Sequence, residues 1–124
     1  MVQIRWDTLT MGGDPMPVYV AIPDGDGPFP AVTVNQGLGS VEHVIQKLTE
    51  RVAEAGFVAA APLYYHRQKD NILDEVKELP PGSPERVKRL FEKVAQLRDD
   101  EVIADGRAAV EHLQTFANVS AAQV

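Results

Sequence analysis

The chain has 124 residues, a net charge of −6, and 44% hydrophobic against 24% charged residues. This length and this balance are typical of one globular domain and exclude a disordered chain. The absence of cysteine excludes disulfides, thiolate ligands and a cysteine nucleophile within this sequence, and the lack of a basic face argues against nucleic-acid binding.

The first two predicted elements are strands that form a hairpin. Ile4, Trp6 and Thr8 alternate with polar residues, as in a half-buried strand. The turn "MGGDPMP" follows, and "VYVAIP" at 18–23 predicts the second strand. The N-terminal residues lack the apolar core of a signal peptide, and no apolar run approaches the roughly 20 residues of a membrane span. We therefore expect a cytoplasmic protein without membrane contact.

A strand, a helix and a second strand follow with short connections. Residues 31–34 and 57–62 are continuously apolar, which favours two buried parallel strands. Ser40 is a good helix N-cap, with Glu42 in the first turn, and Gly56 is a helix stop. The predicted inward face of the helix is Val44, Ile45, Leu48 and Val52. These elements predict a βαβ unit.

Two more helices are predicted after an irregular stretch at 63–81. Ser83, Pro84 and Glu85 form a strong helix start, and this helix runs to about Arg98. Its predicted inward residues are Val87, Leu90, Phe91, Val94 and Leu97. Asp99 or Asp100 caps the last helix, whose predicted inward residues are Val102, Ile103, Ala109, Val110, Leu113 and Phe116. The segment "AAQV" at 121–124 predicts the onset of one more strand.

These elements predict an α/β fold in a single domain over residues 1–124. An N-terminal β-hairpin is followed by a βαβ unit with parallel strands and helices, and the sheet is incomplete. The parallel strands have few neighbours, and an exposed sheet edge is an aggregation hazard. We therefore expect that the chain is a fragment, or that another chain completes its sheet.

Three stretches of the sequence, in order, resemble the dienelactone hydrolase family of the α/β-hydrolase fold. They are "PFPAVTVNQGLG", "LTERVAEAGFVAAAPLYYHRQ" and "DDEVIADGRAAVEHLQ". The resemblance covers most of the chain from the hairpin onward and corresponds to the N-terminal half of the family's domain. It implies acyl transfer on ester or lactone bonds, by a cysteine or serine on a Gly-x-(Cys/Ser)-x-Gly elbow, with an aspartate and a histidine later in the chain.

The sequence itself lacks the implied nucleophile. Neither a cysteine nor a Gly-x-Ser-x-Gly pattern occurs, and the three serines are predicted to be helix caps or loop. The resemblance implies that the backbone N–H of Gly37, with Leu38 adjacent, supplies one of the two donors of an oxyanion hole. Gln36 takes the position of the family's glutamate, and a glutamine cannot serve as a base.

The resemblance also implies a substrate side to this site. Tyr65 and Arg67 would lie at the C-terminal end of a parallel strand, where ligands bind in α/β sheets. The Arg67 guanidinium could hold a substrate carboxylate in bidentate fashion. The implied partner is a small-molecule ester or lactone. Neither a cofactor nor a metal is expected.

Structural alternatives exist for each of these residues. Gly37 and Gly39 could serve only to turn the chain, and Gln36 could be a structural hydrogen-bonder. "GLGSVE" lacks the third glycine of a dinucleotide loop, so that function is disfavoured. His43 and His112 are predicted on the surface, and His66, near Asp70 and Tyr65, is predicted to be solvated. Arg67 could pair with Asp70 or Glu75.

Two functional classes therefore remain open. In the first, the chain is the N-terminal portion of a dienelactone-hydrolase-like enzyme and is inactive alone. In the second, it is a non-catalytic α/β module that works by association as a dimer. A split enzyme, in which a separate C-terminal half-domain supplies the missing groups, lies between the two.

Overall fold

A four-stranded mixed sheet organises the chain in a computed structural model that describes residues 1–68 and 78–124. The strands are β1 (Gln3–Met11), β2 (Asp14–Ile22), β3 (Ala31–Thr33) and β4 (Val58–Pro62), in the spatial order β1-β2-β4-β3. The α-helices are α1 (His43–Glu54), α2 (Pro84–Ala95) and α3 (Asp99–Gln114). Two short 3₁₀ turns lie at Tyr64–Arg67 and Ala121–Gln123.

Alternation along β2 separates the two sides of the sheet, because successive side chains of a strand point to opposite faces. Val18 and Val20 pack in one core with Leu113 of α3. Tyr19 points the other way, where its hydroxyl donates to Glu50 of α1 at 3.0 Å. Helices α1 and α3 therefore cover opposite faces, as in the predicted α/β class.

The predicted hairpin is confirmed, with two changes. Strands β1 and β2 pair antiparallel from Gln3↔Ile22 to Met11↔Asp14. The turn is shorter than predicted, because Gly12 and Gly13 adopt positive φ angles of 59° and 93° and reverse the chain in two residues. The prediction of which β1 residues are buried is also wrong. Ile4 and Trp6 are 54% and 48% exposed, whereas Leu9 and Met11 pack against the core.

The predicted βαβ unit is confirmed, and its helix start is wrong. Strand β3 pairs parallel with β4 from Ala31↔Val58 to Thr33↔Ala60. Ser40 is not the N-cap of α1, because it lies in the left-handed region with φ 70°. The helix begins three residues later at His43, and Glu42 is its N-cap rather than a first-turn residue.

The predicted apolar faces of the helices are only partly correct. On α1, Val44 and Leu48 are 68% and 47% exposed, and the small residues Thr49 and Ala53 are buried instead. The Thr49 hydroxyl donates to the Ile45 carbonyl at 2.7 Å, which satisfies it inside the core. Small residues allow the helix to lie close to the sheet, and the larger apolar residues of α1 then fall outside the contact.

On α2 and α3, too, some of the residues predicted to face inward are exposed. The Ser83 cap of α2 is confirmed, with its side chain accepting from the Arg86 N–H at 3.3 Å. The predicted inward residues Val87, Phe91 and Ile103 are 40%, 56% and 62% exposed. Helix α3 has Arg98 as its N-cap, so Asp99 and Asp100 lie in the first turn and do not cap it.

The C-terminal residues differ from the predicted strand onset. Residues 121–123 form a 3₁₀ turn, and pairing occurs earlier, as a parallel bridge between Phe29 and Val119. The Phe29 N–H donates to the Asn118 carbonyl, and the Ser120 N–H donates to the Phe29 carbonyl, both at 2.8 Å. Among the described residues, no helix combines the length and the apolar character that crossing a membrane requires.

Candidate functional site

Two turns lie together where the parallel strands β3 and β4 end. Residues 35–40 follow β3, and the Tyr64–Arg67 turn follows β4. Because β3 and β4 are adjacent and parallel, their carboxyl ends meet at one edge of the sheet. Open α/β sheets bind their ligands at this edge.

Gly37 presents its backbone N–H at this edge. The residue is exposed, and its carbonyl accepts a hydrogen bond from the Ser40 N–H at 3.1 Å. Gly37 and Ser40 also form an isolated antiparallel bridge, the pairing in which two residues exchange N–H and carbonyl bonds, so the Gly37 N–H faces the Ser40 carbonyl. The φ angles of Gly37 and Gly39 lie outside the left-handed region, and a Cβ at Gly37 would have no heavy atom within 4 Å. Neither a positive φ nor crowding therefore requires glycine at 37, and the strained residue of the turn is Ser40.

Gln36 is hydrogen-bonded at both ends of its side-chain amide. Its Oε1 accepts from the backbone N–H of Tyr64 at 2.8 Å, and its Nε2 donates to the Gly37 carbonyl at 3.4 Å. The neighbouring Asn35 accepts from the Tyr64 hydroxyl through Oδ1 at 2.8 Å. Gln36 thus joins the two turns, which fits the structural hydrogen-bonding that the sequence left open.

Tyr65 is a buried residue that holds the loop at 35–40 by a hydrogen bond. It is 3% exposed, and its hydroxyl donates to the Leu38 carbonyl at 2.8 Å. Burial raises the pKa of this phenol, so it remains a hydrogen-bond donor at neutral pH. Leu38 itself is 39% exposed. The structure therefore places Gln36, Gly37, Leu38 and Tyr65 in one contiguous group.

Arg67 adjoins this group and is held by two carboxylates. Its Nη1 and Nη2 donate to the two Asp105 oxygens at 2.8 and 2.9 Å, and its Nε pairs with Glu101 at 2.8 Å. The hydrogen bond to Asp105 raises the pKa of Arg67 above its usual value. Asp70 and Glu75, the partners that the sequence suggested, lie outside the described residues.

His66 is a corrected prediction. Its side chain is 0% exposed, and its Nε2 lies 2.9 Å from Asp105 Oδ2, so it is not a solvated loop residue. His112 is also not free on the surface, because its Nε2 lies 2.8 Å from Asp7 Oδ2. His43 is exposed, as predicted.

The sequence reasoning missed Asp105, which is 0% exposed. A signal for it was present, because Asp105, Ala109 and Leu113 recur every four residues and form the buried line of α3. A carboxylate on such a line needs a buried cation or donors. The adjacent Gly106 allows a close approach here, since a Cβ would lie 3.2 Å from the Tyr64 hydroxyl.

The described residues of this arrangement include no activated nucleophile. A backbone N–H on an exposed turn is the kind of donor that stabilises a developing oxyanion. Ser40 is three residues away, but it is 1% exposed and its hydroxyl has no hydrogen-bond partner. A serine nucleophile needs a base within hydrogen-bond reach. No group of three or more histidine or acidic side chains in the described part of the chain could hold a metal ion.

Comparison with known proteins identifies the wider family. The sequence model of the dienelactone hydrolase family matches residues 16–124. A provisionally named carboxymethylenebutenolidase of Yersinia pestis is 39% identical over 85 residues, which is 64% of this chain and 32% of that protein. Another from a Synechocystis species is 32% identical over 106 residues, covering 86% of this chain and 41% of that protein.

The fold is also similar to a solved structure. A provisionally named dienelactone hydrolase from Klebsiella pneumoniae superposes with a TM-score of 0.75 at 28% identity. That match covers 99% of this chain and 48% of the Klebsiella protein. The chain thus spans less than half the length of these relatives.

Proposed function

Because the chain belongs to the dienelactone hydrolase family, we propose that it contributes to hydrolysis of ester or lactone bonds by acyl transfer. The observation that carries the proposal is the exposed turn around Gly37 at the carboxyl end of β3. The match of the family to residues 16–124 includes this turn. The chain would form one part of a single α/β-hydrolase domain.

In this proposal the Gly37 N–H is one of two donors to the oxygen of a tetrahedral intermediate. The substrate oxygen would compete with the Ser40 carbonyl for this N–H, and the donor would stabilise the charge that develops on that oxygen. The second donor and the nucleophile, a cysteine or serine, would come from outside this sequence, which contains neither a cysteine nor a Gly-x-Ser-x-Gly. The chain alone is then inactive. Gln36 cannot serve as a base and instead holds the turn.

On the substrate side, we place Arg67 and Tyr65 at the wall of the site. A guanidinium has five N–H donors, and the carboxylates of Asp105 and Glu101 engage one on each nitrogen. One N–H remains on each of Nη1 and Nη2, and these point to opposite edges of the guanidinium, so Arg67 would contact a substrate oxygen through a single N–H, because Asp105 occupies the bidentate position. The Arg67 side chain is 26% exposed, which leaves it partly accessible from solvent.

A chimera tests the oxyanion role. Residues 1–124 are joined to the part of the Klebsiella pneumoniae protein that this chain does not cover, and hydrolysis of p-nitrophenyl acetate is measured. We expect activity in the chimera and none above background in the 124-residue chain. Gly37→Pro removes the N–H and should lower kcat by about 10²–10³-fold.

Gly37→Ala is the matched control, because it keeps the N–H and a Cβ at this position meets no heavy atom within 4 Å. It should retain most of the activity. Circular dichroism and the urea midpoint of both variants exclude unfolding as the cause. Equal activity of the proline and alanine variants would refute the role of Gly37.

An alternative function is association, either as a dimer or with a separate half-domain. The observation in its favour is that β3 is the terminal strand of the described sheet. Phe29 pairs with Val119, but that bridge lies before β3 begins. An unpaired edge of a parallel sheet is a site for strand addition. Sedimentation decides this: a folded monomer at micromolar concentration would argue against dimerisation.

A further inference from the structure

A buried cluster of charged side chains anchors the Tyr64–Arg67 turn to helix α3. The carboxylate of Asp105 accepts hydrogen bonds from both terminal nitrogens of Arg67 and lies 2.9 Å from His66 Nε2. The side chains of Asp105 and His66 are 0% exposed. Glu101, one helical turn before Asp105, adds the bond to Arg67 Nε at 2.8 Å. Hydrogen bonds with a charged partner are about twice as strong as neutral ones.

The turn is short and gains support from outside itself. It comprises four residues, and the backbone bonds at its two ends are His66 N–H to Leu63 carbonyl at 3.3 Å and Gln68 N–H to Tyr65 carbonyl at 2.9 Å. A 3₁₀ helix of this length has poor hydrogen-bond geometry. Asp105, in contrast, lies within the 16-residue helix α3 on the same buried line as Ala109 and Leu113.

The same four-residue turn holds the loop that carries Gly37. The Tyr64 N–H donates to Gln36, the Tyr64 hydroxyl donates to Asn35, and the Tyr65 hydroxyl donates to the Leu38 carbonyl, each at 2.8 Å. These three bonds surround the Gly37 peptide on both sides along the chain. His66 and Arg67 bond to Asp105, whereas Tyr64 and Tyr65 bond to this loop, and all four are consecutive residues of one turn.

We propose that Asp105 is a positioning residue, which fixes residues 35–38 by anchoring the Tyr64–Arg67 turn through His66 and Arg67. The use of this loop as an oxyanion donor rests on the proposed function, whereas the mechanical link does not. An ionised carboxylate only accepts hydrogen bonds. The link therefore requires a proton on His66 Nε2, and Nδ1 is the buried ring nitrogen without a partner among the described residues.

Amide hydrogen exchange and histidine NMR on the 124-residue chain test the link. The Tyr64 N–H, bonded to Gln36, reports on the first connection. The Ser40 N–H, bonded to the Gly37 carbonyl, reports on the loop. The Val34 N–H, bonded to the Ala60 carbonyl at 2.8 Å, reports on the sheet. In Asp105→Asn, exchange of the first two amides should accelerate at least about tenfold relative to the third, as for loss of one charged hydrogen bond.

The matched control is Asp7→Asn, which removes the charge of the other histidine-bonded aspartate, on β1. It should leave the ratio of the Tyr64 and Ser40 rates to the Val34 rate unchanged. The ¹⁵N shifts of the ring should also show His66 with its proton on Nε2 in the wild type and a changed tautomer population in Asp105→Asn. A residue that only stabilises the whole fold would not give this selective pattern.

Two results would overturn the proposal: uniform acceleration of all three amides, or acceleration at Tyr64 without Ser40. If Asp105→Asn does not fold, Arg67→Lys carries the same test, because lysine keeps the charge and loses the bidentate geometry. Neither result would affect the proposed function, which is measured separately by the activity of the chimera and its Gly37 variants.

Discussion

Replacement of Asp105 by alanine would leave buried His66 and partly buried Arg67 without their common acceptor. Removing one partner of a buried ion pair costs about 3–5 kcal/mol, because the other charge stays desolvated. Arg67 is 26% exposed and keeps its bond to Glu101, which reduces the penalty. We therefore expect Asp105→Ala to lower the free energy of unfolding by about 3 kcal/mol.

Asp7 is a matched comparison within the same chain. Like Asp105, it accepts from a histidine Nε2 and from an arginine, here His112 at 2.8 Å and Arg5 at 2.8 Å. Its surroundings differ, because the side chains of Asp7, His112 and Arg5 are 19%, 23% and 50% exposed. These side chains keep more solvent access than Asp105 and His66, and fully exposed pairs contribute at most about 1 kcal/mol, so Asp7→Ala should cost less than Asp105→Ala, about 1 kcal/mol.

Urea unfolding followed by circular dichroism at 222 nm, at neutral pH, gives both free energies by linear extrapolation. The expected order is wild type, then Asp7→Ala, then Asp105→Ala. The slope with urea should be the same in all three proteins, since the change is in stability and not in the surface exposed on unfolding. Equal costs for the two substitutions, within about 0.5 kcal/mol, would refute the argument that burial decides the strength of these pairs.

Three further outcomes are expected. Leu113→Ala, at a fully buried position of α3, should cost about 2–5 kcal/mol, whereas Ile103→Ala, 62% exposed on the same helix, should cost less than about 0.5 kcal/mol in the same unfolding assay. Ser40→Gly should be more stable than Ser40→Ala by about 1 kcal/mol, because only glycine accepts the φ of 70° at this position without strain; equal stabilities would contradict this. Burial and the bond to Glu50 raise the pKa of Tyr19 from 10.0 to about 12, so its contribution to stability is complete below pH 10 and is lost as the pH rises through 12. Absorbance of the ionised phenol at 295 nm in wild type and Tyr19→Phe measures this directly, and ionisation of Tyr19 in the folded chain at its ordinary pKa would contradict it.

The candidate site shows how far local sequence reasoning reaches. The position of Gly37 after a buried strand, and of Tyr65 and Arg67 after the next, follows from the order of apolar runs, and the structure places these residues together. The roles of the side chains were harder to predict. Arg67 had acidic neighbours in sequence, yet its partners among the described residues are Glu101 and Asp105, more than thirty positions away.

The sequence by itself determined the order of strands and helices, the antiparallel hairpin, the parallel pair and the Ser83 cap, because these depend on apolar runs, turn residues and caps within a few positions. Tertiary structure decided which helical face is buried and where each buried charge finds its partner. Val44 and Ile103 are apolar but exposed, and Asp105 is charged but enclosed, because burial depends on which elements pack together. A carboxylate can enter a core only when other elements bring it donors, as the Tyr64–Arg67 turn does here.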